Sequence, residues 1–236
     1  MASIHPLAVE AFFDTSGVEP VRGFLHTPDV APSTPSALIL THSAGSNCQA
    51  PLLVALAEAF AGAGLVVLRC DLPFRQQRPT GPPLRTAERD QAGLRAAVDA
   101  VRRHLAASNP APGSAMRIFL GGHSYGGRMA SMLAAAEPGL VDALLLLSYP
   151  LHPPRQPRQL RTKHFPELRT LALFVSGTHD GFGTVAELEL AKAQIPARTR
   201  VLPIAGAGHE LLTKTNRETM PGAVLDAFLA FTEPRA

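Results

Sequence analysis

Tryptophan is missing from this chain, and its 236 residues include only two tyrosines and two cysteines. Cys48 and Cys70 have neither metal-ligand spacing nor the dense pattern of a disulfide-stapled secreted domain. Free, partly buried thiols in a reducing cytoplasm are expected. Lysine is nearly absent too: Lys163, Lys192 and Lys214 are all there is, and arginine supplies the remaining positive charge. Charged residues make up 17% of the chain and the net charge is only +3. No run of like charges is long enough to form a nucleic-acid arm. No apolar run approaches membrane length, and MASIHPLAVEAFF lacks a basic stretch followed by an apolar one. Neither membrane insertion nor a signal peptide is therefore expected. No internal repeat or linker interrupts the chain, so residues 1–236 are expected to form one domain. The oligomeric state stays open, a homodimer included.

What is present alternates. Short, largely apolar runs at 37–40, 65–70, 118–120, 141–147, 171–175 and 199–203 read as strands. Between and after them, 51–61, 86–107, 185–194 and about 218–231 read as helices. At the start, 7–13 and 18–26 flank the turn Asp14-Thr15-Ser16-Gly17 as a hairpin. The pattern predicts an α/β fold: a mostly parallel central sheet with an antiparallel N-terminal hairpin, helices on both faces, and no room for a large lid domain.

One stretch organises the rest. The apolar run Ile118-Phe119-Leu120 leads into Gly121-Gly122-His123-Ser124-Tyr125-Gly126-Gly127, and an alanine-rich helical pattern follows. Strand, tight glycine turn with a serine at its apex, helix: this is the G-x-S-x-G arrangement that exposes a nucleophile. A serine hydroxyl is a poor nucleophile unless it is held beside a base. The sharp turn holds it there, and Gly122 and Gly126 flank it because a Cβ at either place would collide with the turn. The helix that follows points free N–H groups at the same spot.

A nucleophile of this kind takes its partners in the order serine, acid, histidine. Of the nine histidines, only His152, His164, His179 and His209 follow Ser124. Among the acids, Asp142 starts a strand at the wrong end of the sheet, and Glu187 and Glu189 lie on a helix. Asp180 alone follows the C-terminal end of a buried strand, in a glycine-bounded turn. Only His209 remains after it, in Gly206-Ala207-Gly208-His209, read as a flexible turn that lets the ring swing towards the serine. Asp180 would fix the His209 tautomer and stabilise its imidazolium. The oxyanion donors are expected to be the backbone N–H of Tyr125 and one from the loop after residues 37–40, at Ala44 or Ser43. His42 is read as a brace for that loop. His42, Arg75, Tyr149 and His152 are candidate pocket residues. Arg75 and Arg78 offer themselves to an anionic substrate group or else form a solvated loop. Arg155, Arg158, Arg161, Lys163 and Arg169 read as an exposed basic face.

The motifs THSAGSN, RCDLPFR, GGHSYGGRMAS, SYPLHPP, FVSGTHDGFG and GAGHEL together make the chain resemble an α/β-hydrolase of the dienelactone-hydrolase-like group. It is most similar to a small family of predicted hydrolases within that fold. The resemblance covers nearly the whole chain and implies Ser124, Asp180 and His209 as the triad. Some dienelactone-type members use cysteine at the position that is Ser124 here. The expected function is cleavage of a small carboxylic ester or thioester through an acyl-enzyme, without metal or other cofactor. Amide hydrolysis or acyl transfer on the same triad, and a non-catalytic interaction module, are the alternatives. DLPFR and SYPLHPP point to the subgroup but carry no chemistry readable from spacing.

Overall fold

The computed structural model describes residues 8–29, 34–83, 87–108 and 116–233. One eight-stranded sheet runs through them in the order β1-β2-β4-β3-β5-β6-β7-β8. The hairpin β1 (Ala8–Asp14) and β2 (Val21–Thr27) is antiparallel and joins β4 (Val66–Cys70) antiparallel. From β4 through β3 (Ser36–Thr41), β5 (Arg117–His123), β6 (Ala143–Leu147) and β7 (Leu171–Gly177) to β8 (Thr199–Ile204) every pairing is parallel. This is the mostly parallel sheet with an antiparallel N-terminal hairpin that the alternation of the sequence predicts. No inserted lid domain occurs among the described residues.

Two helical layers cover the sheet because its central strands are apolar on both faces. In β3, Ala37 and Ile39 face one layer while Leu38 and Leu40 face the other, as the two-residue strand period requires. The first layer is α3 (Ala87–Ser108), α4 (Tyr125–Ala136) and α5 (Val185–Lys192). The second is α1 (Pro51–Gly62) and α6 (Met220–Thr232), where Phe60 and Phe119 both meet the Phe228 ring edge-to-face. Each fully buried Phe or Leu here contributes roughly 1.5–3 kcal/mol.

Two local expectations need correction. The second strand begins at Val21, not Val18, because the chain is still turning at Gly17-Val18-Glu19-Pro20 and Val18 stands 94% exposed at the hairpin tip. The loop 71–75 holds the start of a short helix, α2 (Pro73–Gln77). Proline at its first position suits a helix start, and the extended Leu72 before it makes the turn. Leu7, expected to open the first strand, lies outside the described residues.

Two histidines, buried His26 in β2 and half-buried His164 beside Ser131 of α4, make stability depend on pH. His26 is 1% exposed and its Nε2 accepts the Arg69 Nε–H at 2.8 Å. Burial, and secondarily the Arg69 charge, push its pKa down from 6.5 to about 4. His164 is pushed to about 4 by burial and then by the Arg128 charge. Unfolding lets both imidazoles take up a proton between about pH 6.5 and 4, so folding stability is full above that window and falls on acidification through it. For His26 alone the loss approaches about 3 kcal/mol. Urea midpoints measured at pH 7 and pH 4.5 should therefore drop steeply in the wild type and less in His26→Gln. Equal drops in the two proteins would contradict the assignment.

Candidate active site

Four loops at the C-terminal ends of parallel strands meet over α4, the place where an open α/β sheet leaves a crevice. Ser124 sits between β5 and α4 with φ 52° and ψ −112°. This left-handed backbone costs a non-glycine residue roughly 1–3 kcal/mol and persists only where the surroundings enforce it. Here the Ser124 N–H donates to Leu147 O at 2.8 Å, which ties the turn to the end of β6. A Cβ on Gly122 would lie 2.6 Å from the Gly126 carbonyl carbon, and one on Gly126 would lie 2.6 Å from His42 O. The second contact also shows how closely the loop after β3 lies against the start of α4.

The structure brings Ser124, Asp180 and His209 into one hydrogen-bonded line. Ser124 Oγ is 2.8 Å from His209 Nε2, and His209 Nδ1 is 3.0 and 2.9 Å from the two Asp180 carboxylate oxygens. Asp180 follows β7, is buried, and accepts the Phe182 N–H at 2.8 Å on Oδ1. The Phe182 ring lies over the His209 ring, centroids 4.2 Å apart. The turn that carries His209 is held in place, contrary to the expected swinging loop. Buried His123 puts its Nε2 2.8 Å from His209 O, the His179 N–H donates to Ala207 O, and the Gly206 N–H donates to Thr178 Oγ1. Small residues suggested freedom, but the neighbouring turn after β7 takes up their backbone groups.

The loop after β3 is equally fixed. His42 is fully buried; its Nδ1–H donates to Ser43 O at 2.8 Å and its Nε2 accepts the Leu72 N–H at 3.1 Å. Burial above all holds its pKa below the ordinary value, consistent with a neutral ring that can accept on Nε2. Arg75 departs from both of its expected settings, substrate anion and solvated loop. It is 5% exposed, and its guanidinium donates to Ala44 O, Ser46 O, Arg78 O and Gly81 O. A guanidinium presents five donors in a rigid fork, so one side chain can staple two loops. Asp90 makes a second tie. It accepts the Phe74 N–H and the Tyr125 hydroxyl, 2.7 Å away, and burial holds its carboxyl above the ordinary value. The Ala44 and Tyr125 N–H groups have no hydrogen-bond acceptor among the described residues.

A cavity of about 590 Å³ opens beside Ser124, lined by Ala44, Tyr125, Arg128, Pro150, Arg161 and Phe182, with Pro83, Ala87 and Glu88 at its other wall. Ala44 is on the wall and Ser43 is not. His42, Arg75, Tyr149 and His152 do not line it either. They stand behind it: the Tyr149 hydroxyl donates to Arg161 O at 2.6 Å, and the His152 N–H donates to Phe182 O at 3.0 Å. Arg161, expected on an exposed face, is on the wall. Arg128 was missed. It lies one helical turn after Ser124, a spacing that puts both on one face of α4 and was available as a signal. Among the described residues no cluster of His, Cys, Asp and Glu could hold a metal ion, and no helix is long and apolar enough to cross a membrane.

Known proteins share this fold. The structure matches a dienelactone hydrolase from Anabaena variabilis over 96% of this chain and 99% of that one, with a TM-score of 0.73 at 21% identity. It matches Est1E from Butyrivibrio proteoclasticus over 94% and 98%, with a TM-score of 0.70 at 17% identity. An α/β serine hydrolase without lid from Xanthomonas campestris matches over 98% and 99%, with a TM-score of 0.72 at 16% identity. At such identities these likenesses speak for the fold. The family model for the alpha/beta hydrolase domain matches residues 34–232, most of the chain, and the protein belongs to that family.

Proposed function

We propose that the protein is a serine hydrolase that cleaves small carboxylic esters or thioesters through an acyl-enzyme on Ser124. One observation carries the reading: Ser124 Oγ, in a left-handed turn at the wall of a cavity, is 2.8 Å from His209 Nε2, and Asp180 accepts the ring's other N–H. In the first step Ser124 Oγ bonds to the substrate carbonyl carbon as its proton passes to His209 Nε2. Asp180 stabilises the imidazolium and keeps Nδ1 protonated. The negative charge developing on the carbonyl oxygen meets the N–H groups of Tyr125 and Ala44, neither of which has an acceptor among the described residues. Collapse breaks the bond to the alcohol or thiol, which leaves with the proton from His209. Water then gives a proton to His209, attacks the acyl carbon, and the acid departs as Ser124 recovers its proton.

The reading is tested by treating the protein with a fluorophosphonate and mapping the adduct by mass spectrometry. A single adduct on Ser124 is expected, formed at concentrations that label ordinary serine esterases. An unlabelled Ser124 under those conditions would remove the serine-hydrolase reading.

A further inference from the structure

Two arginines face the cavity beside Ser124, and no carboxylate among the described residues pairs with either. Arg128 projects from the second turn of α4, and Arg161 ends the excursion that leaves the sheet after β6. Neither forms an ion pair among the described residues. The one carboxylate on the wall, Glu88, is exposed and pairs with neither. Among the described residues Arg128 Nε is buried without a hydrogen-bond partner, and the Arg161 side chain has only a long 3.4 Å bond to Pro150 O. Burial, and after it the Arg128 charge, hold the Arg161 pKa below its ordinary value. Two cations therefore share a partly desolvated wall, an arrangement that costs free energy unless an anion offsets their charge.

The backbone holds Arg161 there deliberately. Its N–H donates to Leu151 O at 2.8 Å and its carbonyl accepts the buried Tyr149 hydroxyl at 2.6 Å. The excursion 151–161 is thus closed at its base, and turns at Pro153–Gln156 and Gln156–Gln159 fold it back. Its other arginines, Arg155 and Arg158, stay exposed. Only the one at the closure is turned to the cavity. Planar guanidinium groups with spare donors are suited to oxyanions, which they bind through paired, charge-assisted hydrogen bonds.

We propose that Arg128 and Arg161 form an anion subsite, so that the compound cleaved at Ser124 carries a carboxylate or phosphate besides its scissile ester. The subsite stands on the two arginines alone; its connection to cleavage rests on the reading of Ser124 as nucleophile. The ester is held at Ser124 while the anionic group is fixed against the guanidinium wall, and a neutral ester of the same size lacks that anchor.

Calorimetric titration of the full chain with glutarate and, separately, with inorganic phosphate tests the subsite without reference to turnover. One of the two anions is expected to bind, with affinity lowered about tenfold or more in both Arg128→Gln and Arg161→Gln. The exposed control Arg158→Gln should bind as the wild type does. Glutarate binding alone assigns a carboxylate, and phosphate binding alone a phosphate ester. Absence of binding by both, or an equal loss in Arg158→Gln, overturns the proposal. Arg161→Gln keeps the test valid should the helical variant fold poorly. For cleavage, kcat/KM for monomethyl glutarate should exceed that for dimethyl glutarate if a carboxylate binds, and the ratio should fall about tenfold or more in either arginine variant. Labelling of Ser124 without anion binding would sink the subsite and spare the hydrolase. Anion binding without labelling of Ser124 would keep the subsite and sink the hydrolase.

Discussion

Replacing Ser124 with alanine is expected to lower kcat on p-nitrophenyl acetate about a million-fold. Nucleophile, base and acid act as a unit, so losing the attacking atom forfeits nearly all that the three supply together. What survives is the oxyanion pair and the cavity, worth roughly 10³–10⁴ over water in comparable sites. The fold should not suffer. Among the described residues the only hydrogen-bond partner of the Ser124 side chain is His209, while the turn is held by the backbone bond from Ser124 N–H to Leu147 O and by the close packing of Gly122 and Gly126. The check is kcat with the urea midpoint measured on the same preparation. An alanine variant that keeps the wild-type midpoint and more than about a hundredth of the turnover would show that Ser124 is not the nucleophile.

Asp180→Asn should be nearly as damaging, with kcat lower by about 10⁴-fold. The reason is orientation. Asp180 Oδ1 accepts the Phe182 N–H at 2.8 Å, and that donor would select the amide oxygen of an asparagine for the same place. The amide NH₂ would then point at His209 Nδ1. Facing a donor, Nδ1 must become an acceptor, which moves the ring proton to Nε2, where it blocks proton transfer from Ser124 Oγ 2.8 Å away. Because neither residue 180 nor His209 Nδ1 is on the cavity wall, KM should change far less than kcat. A variant with kcat within about tenfold of the wild type would show that Asp180 does not set the tautomer.

How much of this could be read beforehand depended on where each signal is stored. The sheet and both helical layers follow from alternation and period, which are local, and those elements shift by only a few residues. Strand ends and chain order single out Ser124, Asp180 and His209, and the structure places the three within hydrogen-bonding distance in line. Arg75 could not be read in this way. Its partners Ala44, Ser46, Arg78 and Gly81 come from two loops, and no spacing along the chain reveals that four carbonyls converge on one guanidinium. A charged residue type suggested solvent or ligand, when it serves buried backbone instead. Arg161 failed in the opposite direction. It sat among four other basic residues and looked like one more exposed charge. Only the bonds that close its loop at Leu151 and Tyr149 separate it from Arg155 and Arg158. The firmly held His209 turn was misread for a related reason, since glycine and alanine report what a backbone is free to do and not what its neighbours require.

The left-handed backbone at Ser124 has a consequence for how this chain tolerates change. Glycine would sit there without strain, so the proposed nucleophile occupies a position where the fold would be more stable with another residue. Stability and reactivity pull in opposite directions at a single position. A screen that rewards thermal resilience alone would drift towards glycine at this position, in a protein of unaltered shape that has lost its proposed nucleophile.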